Sequence, residues 1–137
     1  MGFSQDVFRH LRDDAAIGAL VGDKIFAQVA RPEAERPYVT YSQVDRDPVQ
    51  TLLGSSNLDT RRLRLTSYAD RYADSEAIAD ALKLLFDGFS GTLGDSTEIT
   101  HSTLIDGDDD YVQETQEPEV VTHRVRLDFD VWIDSAA

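Results

Sequence analysis

The sequence predicts an α+β protein built on an antiparallel, or mixed, β-sheet of about five strands. One main amphipathic helix packs on one face, and a short helical segment sits at the N-terminus. Three observations predict it. Residues 60–69, "TRRLRLTSYA", alternate: Leu63 and Leu65 face one way, Arg62, Arg64 and Thr66 the other. In "DSEAIADALKLLFDGF", residues 74–89, Ile78, Leu82, Leu85 and Phe89 fall on one helical face, with Ala81 beside them. In "VVTHRVRLDFDVWID", residues 120–134, Val125, Leu127, Phe129, Val131 and Ile133 share a parity, while Arg124, Arg126, Asp128 and Asp130 take the other face. Half-polar strands with an amphipathic helix imply a sheet covered on one side.

The elements follow in order. Ser4 is expected to cap the first helix, with Asp6 in its opening turn and Val7, Phe8 and Leu11 as its apolar stripe. Asp14 restarts a short turn carrying Ile17, Leu20 and Val21 up to Gly22, a helix stop. "KIFAQVA" reads as a strand and "RPEAERP" as a loop, because two prolines and three charges cannot continue a ladder. Pro37 opens the strand "YVTYSQV". "DRDPVQTLLGSSN", residues 45–57, is expected to be a long polar turn. Asp74 or Ser75 is expected to cap the main helix, and Gly88 or Gly91 to end it. "FSGTLG" reads as an ordinary turn and "TEITHSTLID", residues 97–106, as the fourth strand. No repeat or linker interrupts the chain, so residues 1–137 are expected to form one domain.

The 137 residues, 41% of them hydrophobic, suffice for one buried core. No cysteine occurs, which excludes disulfides, thiolate metal sites and a cysteine nucleophile. No apolar run approaches the length needed to cross a bilayer, and "MGFSQDVFRHLRDD" lacks the basic start and apolar core of a secretion signal, so a soluble, intracellular origin is expected. The net charge of −13 repels nucleic-acid phosphates and anionic membranes. Lys24 and Lys83 are the only lysines; the other 11 of 13 basic residues are arginine. Such an acidic, lysine-poor surface suits a high-salt cytoplasm, so a halophilic host is one expectation, seen as loss of folding at low salt.

The stretch "IDGDDDYVQETQEPE", residues 105–119, carries Asp106, Asp108, Asp109, Asp110, Glu114, Glu117 and Glu119. Asp106, Asp108, Asp110 and Glu117 occupy positions one, three, five and twelve of a calcium-loop spacing. Tyr111 stands where that loop needs glycine, and strands rather than helices flank it. The stretch therefore reads as a solvated acidic arm between strands, and deleting Asp108–Asp110 is expected to impair assembly more than folding. No metal and no cofactor is expected.

Nor does a catalytic constellation emerge. His10, His101 and His123 share no ligand spacing, and His123 falls on the apolar face of its strand. There is no G-x-S-x-G elbow and no phosphate-binding glycine loop, so no enzyme is expected. Arg62 and Arg64, with Arg124 and Arg126, form either an anion-binding or subunit-contact cluster or cross-strand pairs with Asp128 and Asp130; the pairs are favoured. Trp132, on the polar face near the C-terminus, suits an interface. Asp106, Asp108, Asp109, Asp110, Glu114, Arg62, Arg64, Arg124, Arg126 and Trp132 are the candidate assembly contacts.

The ordered features resemble the tail terminator (tail completion, head–tail joining) proteins of long-tailed phages. Leu20, Val21, Gly22, Asp23, Lys24 and Ile25 match their step into the first strand, and Pro37, Tyr38, Val39 and Tyr41 the start of the next. "RRLRLTSYA", "SEAIADALKLLF" and "VTHRVRLDFDVW" look like the family's central strand, helix and closing strand. The resemblance implies a structural virion protein of the tail or neck, assembled in the host cytoplasm. It implies a homo-oligomeric, hexameric ring on the tail tube protein that meets the head–tail connector or stopper, with DNA passing through the lumen without specific binding and no membrane partner. Another neck or tail-tube component, or a small monomeric acidic binding module with a divalent metal, are the alternatives.

Overall fold

A computed structural model describes residues 3–28, 35–51, 54–93, 97–113 and 121–134. These form α1 (Phe3–Asp13), α2 (Ala15–Val21), β1 (Ile25–Ala27), β2 (Tyr38–Thr51), β3 (Gly54–Ala69), α3 (Tyr72–Phe86), β4 (Gly91–Leu93), β5 (Thr97–Gln113) and β6 (Val121–Asp134). The strands make one mixed sheet in the order β1-β2-β3-β6-β5-β4. Only β1–β2 is parallel. The α+β class is as expected, but six strands replace about five, and three helices replace one main helix with a helical segment. The extra strand, β4, lies in the expected turn; with three residues and only Leu93 buried, it is too short to show a period.

Parity assigns the faces. Leu63, Leu65, Leu127, Phe129 and Val131 turn inward and are almost wholly buried. They meet Val7 and Leu11 of α1, Ile17 and Val21 of α2, and Ile78, Leu82 and Phe86 of α3 in one core. Burial of this apolar surface is the main source of stability, at about 25 cal/mol per Å2 removed from water. Asp6 joins the core side too: it is fully buried, and the Thr97 hydroxyl donates to its Oδ2, tying the start of α1 to the start of β5.

The helix ends show where local signals hold. The Ile17 N–H donates to Asp14 Oδ2 at 3.0 Å, so Asp14 caps α2. Gly22, at φ 65°, stops that helix in a conformation costly for other residues. The expected caps elsewhere move. α1 begins at Phe3 because that ring is buried, which places Ser4 inside the first turn, where its hydroxyl accepts from Gln43 Nε2 at 3.2 Å. α3 begins at Tyr72 rather than after Asp74 or Ser75. Ser75 is fully buried and donates to the Tyr72 carbonyl at 2.8 Å, while its own carbonyl accepts from the Ser67 hydroxyl at 3.0 Å. A serine packed against β3 belongs inside the turn.

Two longer corrections matter more. The expected polar turn over 45–57 is instead the far half of the β2–β3 hairpin, paired from Asp45↔Arg62 to Thr51↔Gly54. Pro48 is accommodated beside a register shift between Pro48 and Gln50, where the ladder does not need its missing N–H. The acidic arm is likewise a strand up to Gln113: β5 pairs with β6 from Asp106↔Asp128 to Gln113↔Val121. Like charges do not forbid a ladder when Arg124 and Arg126 stand opposite Asp110 and Asp108. A backbone extended over 106–113 does not wrap one ion, which removes the calcium-loop geometry from that part. Glu114, Glu117 and Glu119 lie outside the described residues.

Candidate functional site

The register brings Arg62, Arg64, Arg124, Arg126, Asp106, Asp108 and Trp132 onto the sheet face opposite the core, whereas Asp109 pairs with Val125, a core residue. Across β3, β6 and β5, one row reads Arg64, Asp128, Asp106; the next reads Thr66, Arg126, Asp108; the third reads Tyr68, Arg124, Asp110. Arg62 stands opposite Asp130. The four arginines therefore share this face; Arg64 pairs with Asp128, Arg62 with Asp130 and Arg126 with Asp108, while Arg124 stands opposite Asp110.

The pairs differ in strength. Arg64 grips Asp128 bidentately, Nε to Oδ1 at 2.9 Å and Nη2 to Oδ2 at 3.2 Å. The Asp128 side chain is 8% exposed and that of Arg64 33%. The hydrogen bond to Asp128 pushes the Arg64 guanidinium above its ordinary pKa, against the opposing effect of burial; Asp128 and Asp106 add charge attraction. Arg62 reaches Asp130 at 3.3 Å and Arg126 reaches Asp108 at 3.5 Å, both nearer to solvent and correspondingly weaker. Above the ladder lies a shallow hollow of about 220 Å3 lined by Arg64, Thr66, Tyr68, Asp108, Arg124 and Arg126.

Trp132 is half-buried on the same face, opposite Thr60 and His101, at the other end of β6 from Arg124. Asp109 and Asp110 lie in β5, with side chains outside the described residues. Sequence reading missed Tyr68, which stacks on Tyr38 with ring centroids 4.7 Å apart and walls the hollow. Its parity with Arg62 and Arg64 was the available signal.

The histidines do not converge. His101 pairs opposite Trp132 and His123 opposite Tyr111, so nine residues of β6, about 30 Å of strand, separate them. The His123 ring meets Tyr72 edge-on at 6.0 Å. His10 packs between Phe86 and Phe89, at 5.5 and 4.9 Å, and its buried Nε2 finds no partner among the described residues. Burial lowers its pKa from 6.5, against the pull of Asp14 and Asp13. Among the described residues, no group of three or more His, Asp or Glu is placed to hold a metal ion. No helix among them is long and apolar enough to cross a membrane.

Comparison with known proteins agrees with the fold. A chain from a solved structure described as "Virion of native gene transfer agent (GTA) particle" superposes with a TM-score of 0.73 at 20% identity, covering 96% of this chain and 94% of that one. At that identity the likeness is one of fold. No curated protein matches the chain. The family described as Tail completion protein gp17 matches residues 5–134, nearly the whole sequence. The chain belongs to the tail completion protein gp17 family.

Proposed function

We propose that this protein is a structural virion component that completes a phage-like tail at its neck end. The match of the tail completion family over residues 5–134 carries this reading. The likeness of fold to a chain of a phage-like virion particle, along nearly the full length of both, supports it. The whole of 1–137 acts as one non-catalytic domain. Six copies close into a ring that caps the tail tube protein and receives the head–tail connector or stopper, and the genome passes through the lumen. The assembled site is the virion neck, built in the host cytoplasm.

The sheet face gives the ring its contacts. Arg64 is held by its two hydrogen bonds to Asp128 and presents a rigid charge to a neighbour, with Arg62, Arg124 and Arg126 beside it on the same face. Trp132 adds a large half-buried aromatic surface at the Arg62 end of this face. Asp106, Asp108, Asp109, Asp110 and Glu114 belong to the acidic stretch that faces a neighbouring subunit, the connector or the lumen. A wall of net charge −13 per copy repels DNA phosphates and keeps the passage non-sticking. The same acidity suits a high-salt host.

Electron microscopy and native mass measurement of the purified chain, alone and with isolated tail tubes, test the reading. Closed six-fold rings at tube ends are expected. Open polymers would assign the chain to the tube instead. A chain that stays monomeric in both preparations overturns the proposal.

A further inference from the structure

β5 lies between β6 and β4, yet β4 covers only its first residues, pairing from Leu93↔Thr97 to Gly91↔Ile99. The end of α3 takes the next positions of that edge. The Gly88 N–H donates to the Ser102 carbonyl at 2.7 Å, and the Leu104 N–H donates to Asp87 Oδ1 at 3.0 Å. From Ile105 to Gln113, β5 is paired on its β6 side alone among the described residues. Such an edge presents a row of backbone donors and acceptors ready for another strand.

A groove runs beside this edge. It measures about 230 Å3 and lies between α3 and the β5–β6 hairpin. Val125 and Leu127 form its apolar floor; Glu76, Asp80 and Asp108 stand on its rim, with Lys83 the one cation in its lining. Gly107 keeps it open at the strand. The backbone there does not demand glycine, since Gly107 has no positive φ, and an added Cβ would meet only Leu127 Cδ2 at an ordinary 3.5 Å. Neither conformation nor crowding requires the missing side chain, whereas a strand laid alongside would use the space.

We propose that the outer edge of β5 over residues 105–113 accepts an extended cationic segment of a different protein as a seventh strand. Its inward side chains are apolar and enter the α3 groove over Gly107. Its outward side chains are lysine or arginine and lie beside Asp106 and Asp108 on the opposite face. Main-chain hydrogen bonds supply the affinity and the alternating pockets the specificity. Charge selects against a second copy: two such edges would set aspartates opposite aspartates, between chains of net charge −13 each. The acidic edge thus blocks self-pairing and admits a basic strand, whether or not the chain closes into a ring.

The test uses the full chain and a heptapeptide alternating lysine and valine, followed by amide NMR and hydrogen exchange. Binding is expected to protect those amides of 105–113 that point away from β6, and to shift Val125 and Leu127. The same peptide N-methylated on one edge is expected to bind about tenfold more weakly, and the glutamate–valine peptide not at all. Gly107→Leu fills the groove and is expected to weaken binding while the circular dichroism spectrum stays the same; Asp106→Lys, which leaves the groove untouched, checks the charge term separately. Equal affinity for the N-methylated peptide, shifts confined to Arg124 and Arg126, or protection in the free chain of those amides of 105–113 that point away from β6 would each overturn the proposal.

Discussion

The Asp128 carboxylate, buried on the open face of the sheet, accepts both hydrogen bonds of the Arg64 guanidinium, at 2.9 and 3.2 Å. Removing one partner leaves the other in a site that water reaches poorly. Arg64→Ala is expected to cost about 1–3 kcal/mol, because it strands a buried carboxylate. Arg62→Ala, at a more exposed pair, is expected to cost about 0–1 kcal/mol. Urea unfolding of both variants checks this; equal losses would mean that burial of Asp128 plays no part.

The pH dependence follows from His10. Burial lowers its pKa in the folded chain, with Asp14 and Asp13 pulling the other way and Phe86 and Phe89 against the ring. Below the ordinary value of 6.5 the unfolded chain binds a proton that the folded chain resists. The neutral ring's contribution is thus complete above pH 6.5 and is lost as pH falls toward the lower folded value, where it levels off. The wild type should therefore lose stability relative to His10→Leu as pH drops below 6.5. A constant difference between the two across that range would disprove the assignment.

The ends of α2 give two separable costs. Asp14→Ala removes the acceptor for the Ile17 N–H and is expected to cost about 1 kcal/mol. Gly22→Ala forces a side chain into φ 65° and is expected to cost about 1–2 kcal/mol. The two sites share no hydrogen bond, so thermal melting of the double variant should show near-additive losses.

Deleting Asp108–Asp110 no longer isolates an assembly effect. The deletion removes three ladder positions opposite Arg126, Val125 and Arg124 and moves Tyr111–Gln113 by an odd number of residues, turning each to the other face. It is expected to lower stability outright. Asp106→Asn with Asp108→Asn keeps the backbone and is expected to change stability by about 0.5 kcal/mol or less. Melting the two side by side decides whether the acidic stretch belongs to the ladder.

Period and parity in the chain were enough for the class, the main helix, the inward faces of β3 and β6, and the cap and stop of α2. These depend on residues close in sequence: Leu63 and Leu65 choose a side together, and Asp14 reaches Ile17 three residues on. Resemblance along the chain was enough for the family. Register was not legible, because backbone pairing depends on which strand lies alongside. Asp106 meets Asp128 and Asp108 meets Arg126 only after a register shift between Leu104 and Asp106 that no local pattern marks. The same holds for the two long hairpins. Segments rich in Asp, Pro and Ser read as turns by composition, yet they pair because partner strands extend beside them, and in β5–β6 Arg126 and Arg124 stand opposite Asp108 and Asp110. Folding also decided that the arginines are engaged rather than free, and that among the described residues β5 keeps an unpaired edge, since both follow from neighbours distant in sequence.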